Sequence, residues 1–225
     1  MSNDHILLRL TGVAKSYGVK TVLRDVNFTA HRGEVMLVTG PNGAGKSTLM
    51  GIMAGIIRPT RGEVHLVPDQ ERTGWLGHKT ALYPGLTGLE NLEFWARLHC
   101  LDPDEEKLLS TLARMELERA ALNKAGRYSR GMAQRLALAR VLLAEPDILF
   151  LDEPATGLDE RSRGLLRREI SSASERGAAV IWVSHDPERD LSLAHQVLAL
   201  QGTRPVYCGP AAEYAPGKST GAAPC

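Results

Sequence analysis

Charge of one sign is missing from this chain: 27 Lys and Arg stand against 26 Asp and Glu, a net charge of +1, and both signs are interspersed. No basic block supplies a phosphate-tracking surface, which argues against nucleic acid as the main partner. Long apolar runs are also missing. The longest, "ILFL" and "AAVIWV", fall far short of the roughly 20 residues that cross a bilayer, and the opening "MSNDHILLRL" has no signal-peptide pattern. Cysteine is scarce. Cys100, Cys208 and Cys225 lie without paired spacing, so they are expected as reduced thiols in a cytosolic protein. The seven histidines lack metal-ligand spacing and imply no metal cage. There is no internal repeat.

What is present is a globular composition, 43% hydrophobic and 24% charged, in 225 residues, enough for a sizeable core. Short apolar runs alternate with helical patterns. This predicts an α/β fold with a mainly parallel sheet and helices on its faces. Residues 34–40 ("EVMLVTG"), 147–153 ("DILFLDE") and 178–185 ("AAVIWVSH") read as buried strands, continuous and β-branched. The first thirty residues read as hairpin-like strands punctuated by glycine, a smaller antiparallel β layer. Between about 87 and 140 the pattern is helical. Thr87 and Glu90 have capping-box spacing, followed by Leu89, Leu92 and Ala96 on one face. The Pro/Gly/Ala-rich end, 215–225, is expected to be disordered.

"EVMLVTGPNGAGKSTLM" is a strand, a glycine-rich loop and a helix, and it fits G-x-x-x-x-G-K-[ST] from Gly40 to Ser47. Backbone N–H groups of Gly40, Pro41's successors Asn42 and Gly43, then Ala44 and Gly45, would form an anion cradle, and the helix adds its positive end. Lys46 would neutralise the β- and γ-phosphates, Ser47 would ligate Mg²⁺, and Thr48 would hydrogen-bond a phosphate oxygen. A second "GKST" at 217–220 has Ala212 in place of the first glycine and no strand before it, and is dismissed. "DILFLDEP" ends in two acids that strand alternation would point apart. Asp152 would hold Mg²⁺ through water, and Glu153 would polarise the attacking water.

With these motifs the chain resembles the nucleotide-binding subunit of an ABC transporter, over about residues 6 to 214. The resemblance implies roles for several residues. Tyr17 in "KSYG" would stack on adenine. Ser129 and Gly131 in "YSRGMAQR" would form the signature, usually L-S-G-G-Q-x-Q-R. Asp159 in "ATGLD" would cross a dimer interface, and His185 in "VSHD" would be the switch histidine at the γ-phosphate. Arg130 and Met132 depart from the signature, replacing a Gly and a Gln. The anion-facing Ser and Gly remain, while the lost Gln puts fine tuning of hydrolysis in question. Met132, Leu136, Ala139 and Leu143 then follow at amphipathic spacing.

The resemblance further implies that two copies sandwich two ATP molecules, each site joining one P-loop to the other copy's signature. Hydrolysis would drive separate membrane subunits, with the protein peripheral at the cytoplasmic face of the cell membrane. Only about eighty residues separate Thr48 from Ser129, without the sustained heptads of the chromosome and DNA-repair members.

Where most ABC cassettes carry a Gln that touches Mg²⁺ and the attacking water, this sequence has His78. "LGH" followed by "LTGLENLEFWARL" is similar to the ATP-binding subunit of the haem exporters of cytochrome c biogenesis, although Lys79 stands where those relatives commonly have Gln. His78 is read as a polar substitute for Gln, not as a haem ligand. Two alternatives remain open: an exporter ATPase for drugs, lipids or polysaccharides, with which "YSRGM" is shared, and a non-catalytic ATP-binding module.

Overall fold

The computed structural model describes residues 5–66, 72–77, 79–184 and 186–215. His78, His185 and the tail beyond Ala215 lie outside the described residues. The chain opens with β1 (Ile6–Tyr17) and β2 (Lys20–His31), paired antiparallel across a two-residue turn. Gly18, the first residue of that turn, takes φ 57°, a left-handed conformation that a tight hairpin asks of its loop and that glycine adopts freely. Next come β3 (Val35–Thr39), α1 (Lys46–Met53), β4 (Arg61–Leu66) and β5 (Thr73–Leu76). Three helices follow: α2 (Gly88–Leu98), α3 (Glu105–Arg114) and α4 (Arg130–Leu142). The remainder is β6 (Ile148–Asp152), α5 (Glu160–Glu175), β7 (Ala179–Val183), the short α6 (Pro187–Asp190), β8 (Gln196–Gln201) and β9 (Arg204–Pro210).

Two sheets result, one of order β2-β1-β4 and antiparallel, the other of order β5-β6-β7-β3-β8-β9. In the larger sheet every pairing from β5 to β8 is parallel, and β9 closes the edge antiparallel to β8. The expected mixed architecture is therefore present, an α/β body with a separate antiparallel layer. The β8–β9 hairpin and β4 carry no sequence expectation and are additions from the structure.

Why the central strands read as unbroken apolar runs is clear from their two faces. Met36, Val38, Ile148, Phe150, Ile181 and Val183 enter one core, together with α1 and the antiparallel sheet. Their neighbours Val35, Leu37, Leu149, Leu151, Val180 and Trp182 enter the other, beneath the helices. Alternation is strict, but both faces are buried, so no polar residue interrupts it. One face is thus covered largely by a sheet where helices were expected on both.

Two local expectations can be compared directly. Thr87 caps α2 by accepting from the Glu90 amide at 3.1 Å, and the Glu90 carboxylate accepts from the Thr87 amide at 2.7 Å, a complete capping box. In α4 the amphipathic pattern holds only at the start, since Leu136 to Leu142 are buried all round. Cys100 is free and exposed. Cys208 is disulfide-bonded, which corrects the expectation of a reduced thiol there. Among the described residues no helix is long and apolar enough to cross a membrane.

Candidate functional site

The loop from Gly40 to Gly45 joins the buried end of β3 to α1. Gly40 has φ 142°, and a Cβ there would sit 2.3 Å from the Leu200 carbonyl oxygen of β8. Only glycine lets the loop pass so close to that strand. At the other end, Gly45 is the residue before α1, left-handed with φ 97°, and it offers no side chain to the helix amides. Among the described helices of eight residues or more this is unusual, because α2, α3, α4 and α5 are capped by Thr87, Asp104, Ser129 and Asp159. The first amides of α1 therefore have no side-chain partner and open into the loop, the arrangement that attracts an anion.

Lys46 is buried, and its Nζ donates to the carbonyls of Gly40 at 2.8 Å and Pro41 at 3.2 Å. The ammonium is thus folded back over the loop that would hold a phosphate. Next to it, the Ser47 hydroxyl donates to Asp152 Oδ1 at 3.3 Å, bringing the P-loop and the end of β6 together. A hydroxyl and a buried carboxylate, both hard oxygen donors, fit Mg²⁺. Among the described residues no group of three or more His, Cys, Asp or Glu could hold a metal, so an ion at Ser47 and Asp152 would take its other oxygens from its ligand and water.

Glu153 follows the last residue of β6 with φ 55°, and its amide donates to the Val183 carbonyl at 3.1 Å. A left-handed turn therefore aims its side chain, in place of the strand alternation expected. A cleft of about 430 Å³ gathers Tyr17, Asn42, Gly43, Gly45, Lys46, Ser47, Thr48 and Glu153. Gly40, Pro41 and Ala44 of the same loop do not line the cleft; Ala44 is buried and Pro41 exposed. Tyr17 is 51% exposed at the cleft mouth, with the Lys15 ammonium 4.8 Å from its ring centre. Five wall residues have no counterpart in the sequence reading: Lys20, Thr21, Val22, Gly202 and Thr203. They come from the β1–β2 and β8–β9 hairpins, which the Arg24 amide joins by donating to the Thr203 carbonyl at 2.7 Å. Only tertiary packing brings them to the phosphate loop, so no local motif could have marked them.

Ser129, Gly131 and Asp159 do not line that cleft. They share a second face. Ser129 caps α4, its hydroxyl accepting from the Met132 amide at 3.2 Å. Asp159 caps α5 by accepting from the Ser162 amide at 2.8 Å, and this bond, with the Ser162 side chain second, holds its carboxyl below the usual range. A Cβ on Gly131 would meet only Ser162 Oγ, at 3.5 Å. The Arg130 guanidinium lies against Gly157, and Gln134 donates to the Pro154 carbonyl at 3.2 Å, so the start of α4 and segment 154–162 form one unit.

A family model described as "ABC transporter" matches residues 23–156. The chain is 30% identical over 207 residues to the spermidine/putrescine import ATP-binding protein PotA of Pasteurella multocida, a match covering 87% of this chain and 56% of that protein. It thus spans little more than half of that relative. It is 37% identical over 184 residues to the cytochrome c biogenesis ATP-binding export protein CcmA of Maricaulis maris, covering 79% of this chain and 85% of that one. Among solved structures, an ATP-binding subunit of an ABC transporter superposes with a TM-score of 0.83 at 27% identity, over 91% of this chain and 90% of that one.

Proposed function

Because the chain belongs to the ABC transporter family, and so to a family of ATPases, we propose that it hydrolyses Mg-ATP to drive a membrane exporter, with haem for c-type cytochrome maturation as the transported group. The observation that carries the ATPase reading is the uncapped start of α1, which brings Lys46 and Ser47 beside Asp152 and Glu153 at the end of β6. The triphosphate occupies the cradle of Gly40 to Gly45. Lys46 exchanges its two carbonyls for phosphate oxygens, and Thr48 bonds another. Tyr17 covers the base. Ser47 and Asp152 would hold Mg²⁺, which would neutralise phosphate charge when bound. Glu153 accepts the proton of the attacking water, His185 meets the γ-phosphate, and His78 orients the water.

The second face completes the site in a partner copy. Ser129, Gly131 and Asp159 are presented outward, and among the described residues nothing needs Gly131 to be a glycine. A homodimer with two shared sites accounts for that opening. Membrane subunits would meet the loop after His78 and the exposed Tyr83, Phe94 and Leu98, an apolar patch of the kind that marks an interface. On this reading the protein works at the cytoplasmic face of the membrane, and nucleic acid has no role.

Haem is favoured by the "LGH" and "LTGLENLEFWARL" segments and by the identity to CcmA. A drug, lipid or polysaccharide exporter is the second reading, on "YSRGM". One substitution tests all of it. Purified Glu153→Gln should bind ATP at parental affinity and hydrolyse it at least about a hundredfold more slowly, since the base is lost and the cradle kept. A strain whose only copy is Glu153→Gln should fail to mature c-type cytochromes while still making haem. Hydrolysis at the parental rate would remove Glu153 as the base. Lost hydrolysis with normal c-type cytochromes would remove haem and leave the second reading.

A further inference from the structure

Arg140 is a cation buried in the second half of α4, 6% exposed, among Leu136, Ala137, Leu138, Ala139, Val141 and Leu142. It makes no ion pair among the described residues, and its Nε has no hydrogen-bond partner. Burial pulls its pKa down. A leucine or methionine would fill such a position without desolvating a charge, so the guanidinium needs a reason.

Its contacts supply one. The guanidinium lies 4.4 Å from the centre of the Trp95 ring of α2, and Nη1 donates to the Ala81 carbonyl at 2.7 Å. Ala81 is a non-glycine residue with φ 49°, a conformation that L side chains rarely hold unless neighbours enforce it. Two residues on, the buried Asn91 of α2 takes over. Its Oδ1 accepts from the Tyr83 amide at 2.9 Å, and its Nδ2 donates to the carbonyls of Tyr83 at 3.1 Å and Thr87 at 2.8 Å. The segment 79–87, which follows His78 directly, is thus fastened by one side chain from the signature helix and one from α2.

We infer that Arg140 is a positioning residue, tying the signature helix α4 to the 79–87 loop so that the loop is set for ATP hydrolysis by the helix that faces the partner's nucleotide. Trp95 orients the planar guanidinium, and that plane aims Nη1 at Ala81. A lysine keeps the charge and a long stem but cannot stack and bond in one fixed geometry. The tie stands on the contacts alone, while its catalytic consequence rests on the proposed hydrolysis.

The test uses the full chain with Arg140→Lys, Trp95→Leu and the double variant, comparing amide hydrogen exchange, thermal melting and steady-state phosphate release. Arg140→Lys should speed exchange of the 80–87 amides by about tenfold, with β3, β6 and β7 unchanged. It should lower kcat by about tenfold with KM for ATP unaltered, because the loop is misplaced while the phosphate cradle is not. Trp95→Leu should reproduce both effects in part, and the double variant should be no worse than Arg140→Lys, since both changes cut one tie. A merely structural arginine predicts a lower melting temperature, faster exchange throughout α2 and α4, and additive losses. That pattern, or unchanged 80–87 exchange in a folded Arg140→Lys protein, overturns the inference. So does a loosened loop with parental kcat. If Trp95→Leu alone remains well folded, it carries the same judgement should Arg140→Lys fail to fold. Absence of phosphate release from the parent protein strikes the proposed function, and the exchange comparison still decides the tie.

Discussion

Glycines at two positions separate a demand made inside the chain from one made outside it. Gly40 is required by its own fold: φ is 142°, and a Cβ would collide with the Leu200 carbonyl at 2.3 Å. Gly131 lies in the first turn of α4 and would place a Cβ no closer than 3.5 Å to Ser162 Oγ. Alanine is the better helix former by about 1 kcal/mol. Gly40→Ala should therefore lower both the melting temperature and ATP affinity. Gly131→Ala should leave stability unchanged or raise it by up to about 1 kcal/mol, leave monomer ATP binding intact, and weaken the ATP-dependent dimer measured by size-exclusion chromatography or light scattering. An undiminished dimer in Gly131→Ala would show that no nucleotide packs against that turn.

Helix α2 shows what a sequence can state about an element. The Thr87–Glu90 box was legible because both bonds form between residues three apart, with no help from the fold. Removing the hydroxyl, Thr87→Ala should cost about 1 kcal/mol in denaturant unfolding. The carboxylate adds a pH signature. Bonding to the Thr87 amide, then its side chain, lowers the Glu90 pKa from its ordinary 4.5. A depressed acid stabilises the fold fully above its unfolded pKa and loses that contribution as pH falls through the folded value. The parent should therefore exceed Glu90→Gln most above pH 4.5 and converge with it in stronger acid, and a constant difference across that range would contradict the assignment. The central strands were legible for the same local reason, being continuous apolar runs. The rest of the site was not. Glu153 leaves β6 through a left-handed φ that strand alternation cannot forecast, and Lys20, Thr21 and Thr203 reach the cleft from hairpins remote in sequence. The second half of α4 lost its stripe because α4 is enclosed by more than one neighbour, and an enclosed helix has no solvent side to mark.

At the scale of the whole molecule, the predicted site residues divide between two places. Lys46, Ser47, Asp152 and Glu153 belong to the cleft end of the chain, while Ser129, Gly131 and Asp159 stand on another face, with Arg130 and Gln134 fastening that face to segment 154–162. On the proposed function each set is incomplete for phosphoryl transfer: one would hold the phosphates and supply the base but would leave the γ-phosphate open, and the other is a capped helix start with no phosphate loop before it. Two copies related by a two-fold axis would pair each cleft with the other copy's second face, a closed assembly. This predicts a pattern no single-chain site can give. Lys46→Ala should abolish activity by emptying the cradle, and Ser129→Arg should abolish it by filling the second face, so both homodimers are inactive. In a mixed dimer the two lesions fall in one composite site, and the other site has an intact cleft and an intact signature. Equal mixtures that exchange fully contain about half mixed dimers, each with one sound site, so phosphate release should recover to about a quarter of the parental rate if the sites fire independently. The separate proteins, assayed at the same total concentration, should show none. If mass spectrometry finds mixed dimers in quantity and no activity returns, hydrolysis needs both sites intact or is completed within one chain. A mixture of Lys46→Ala with Glu153→Gln is the control that ties recovery to the placement of the lesions. Both of those lesions lie in the cleft, each chain spoils its own site, and the shared-site arrangement allows no rescue at all.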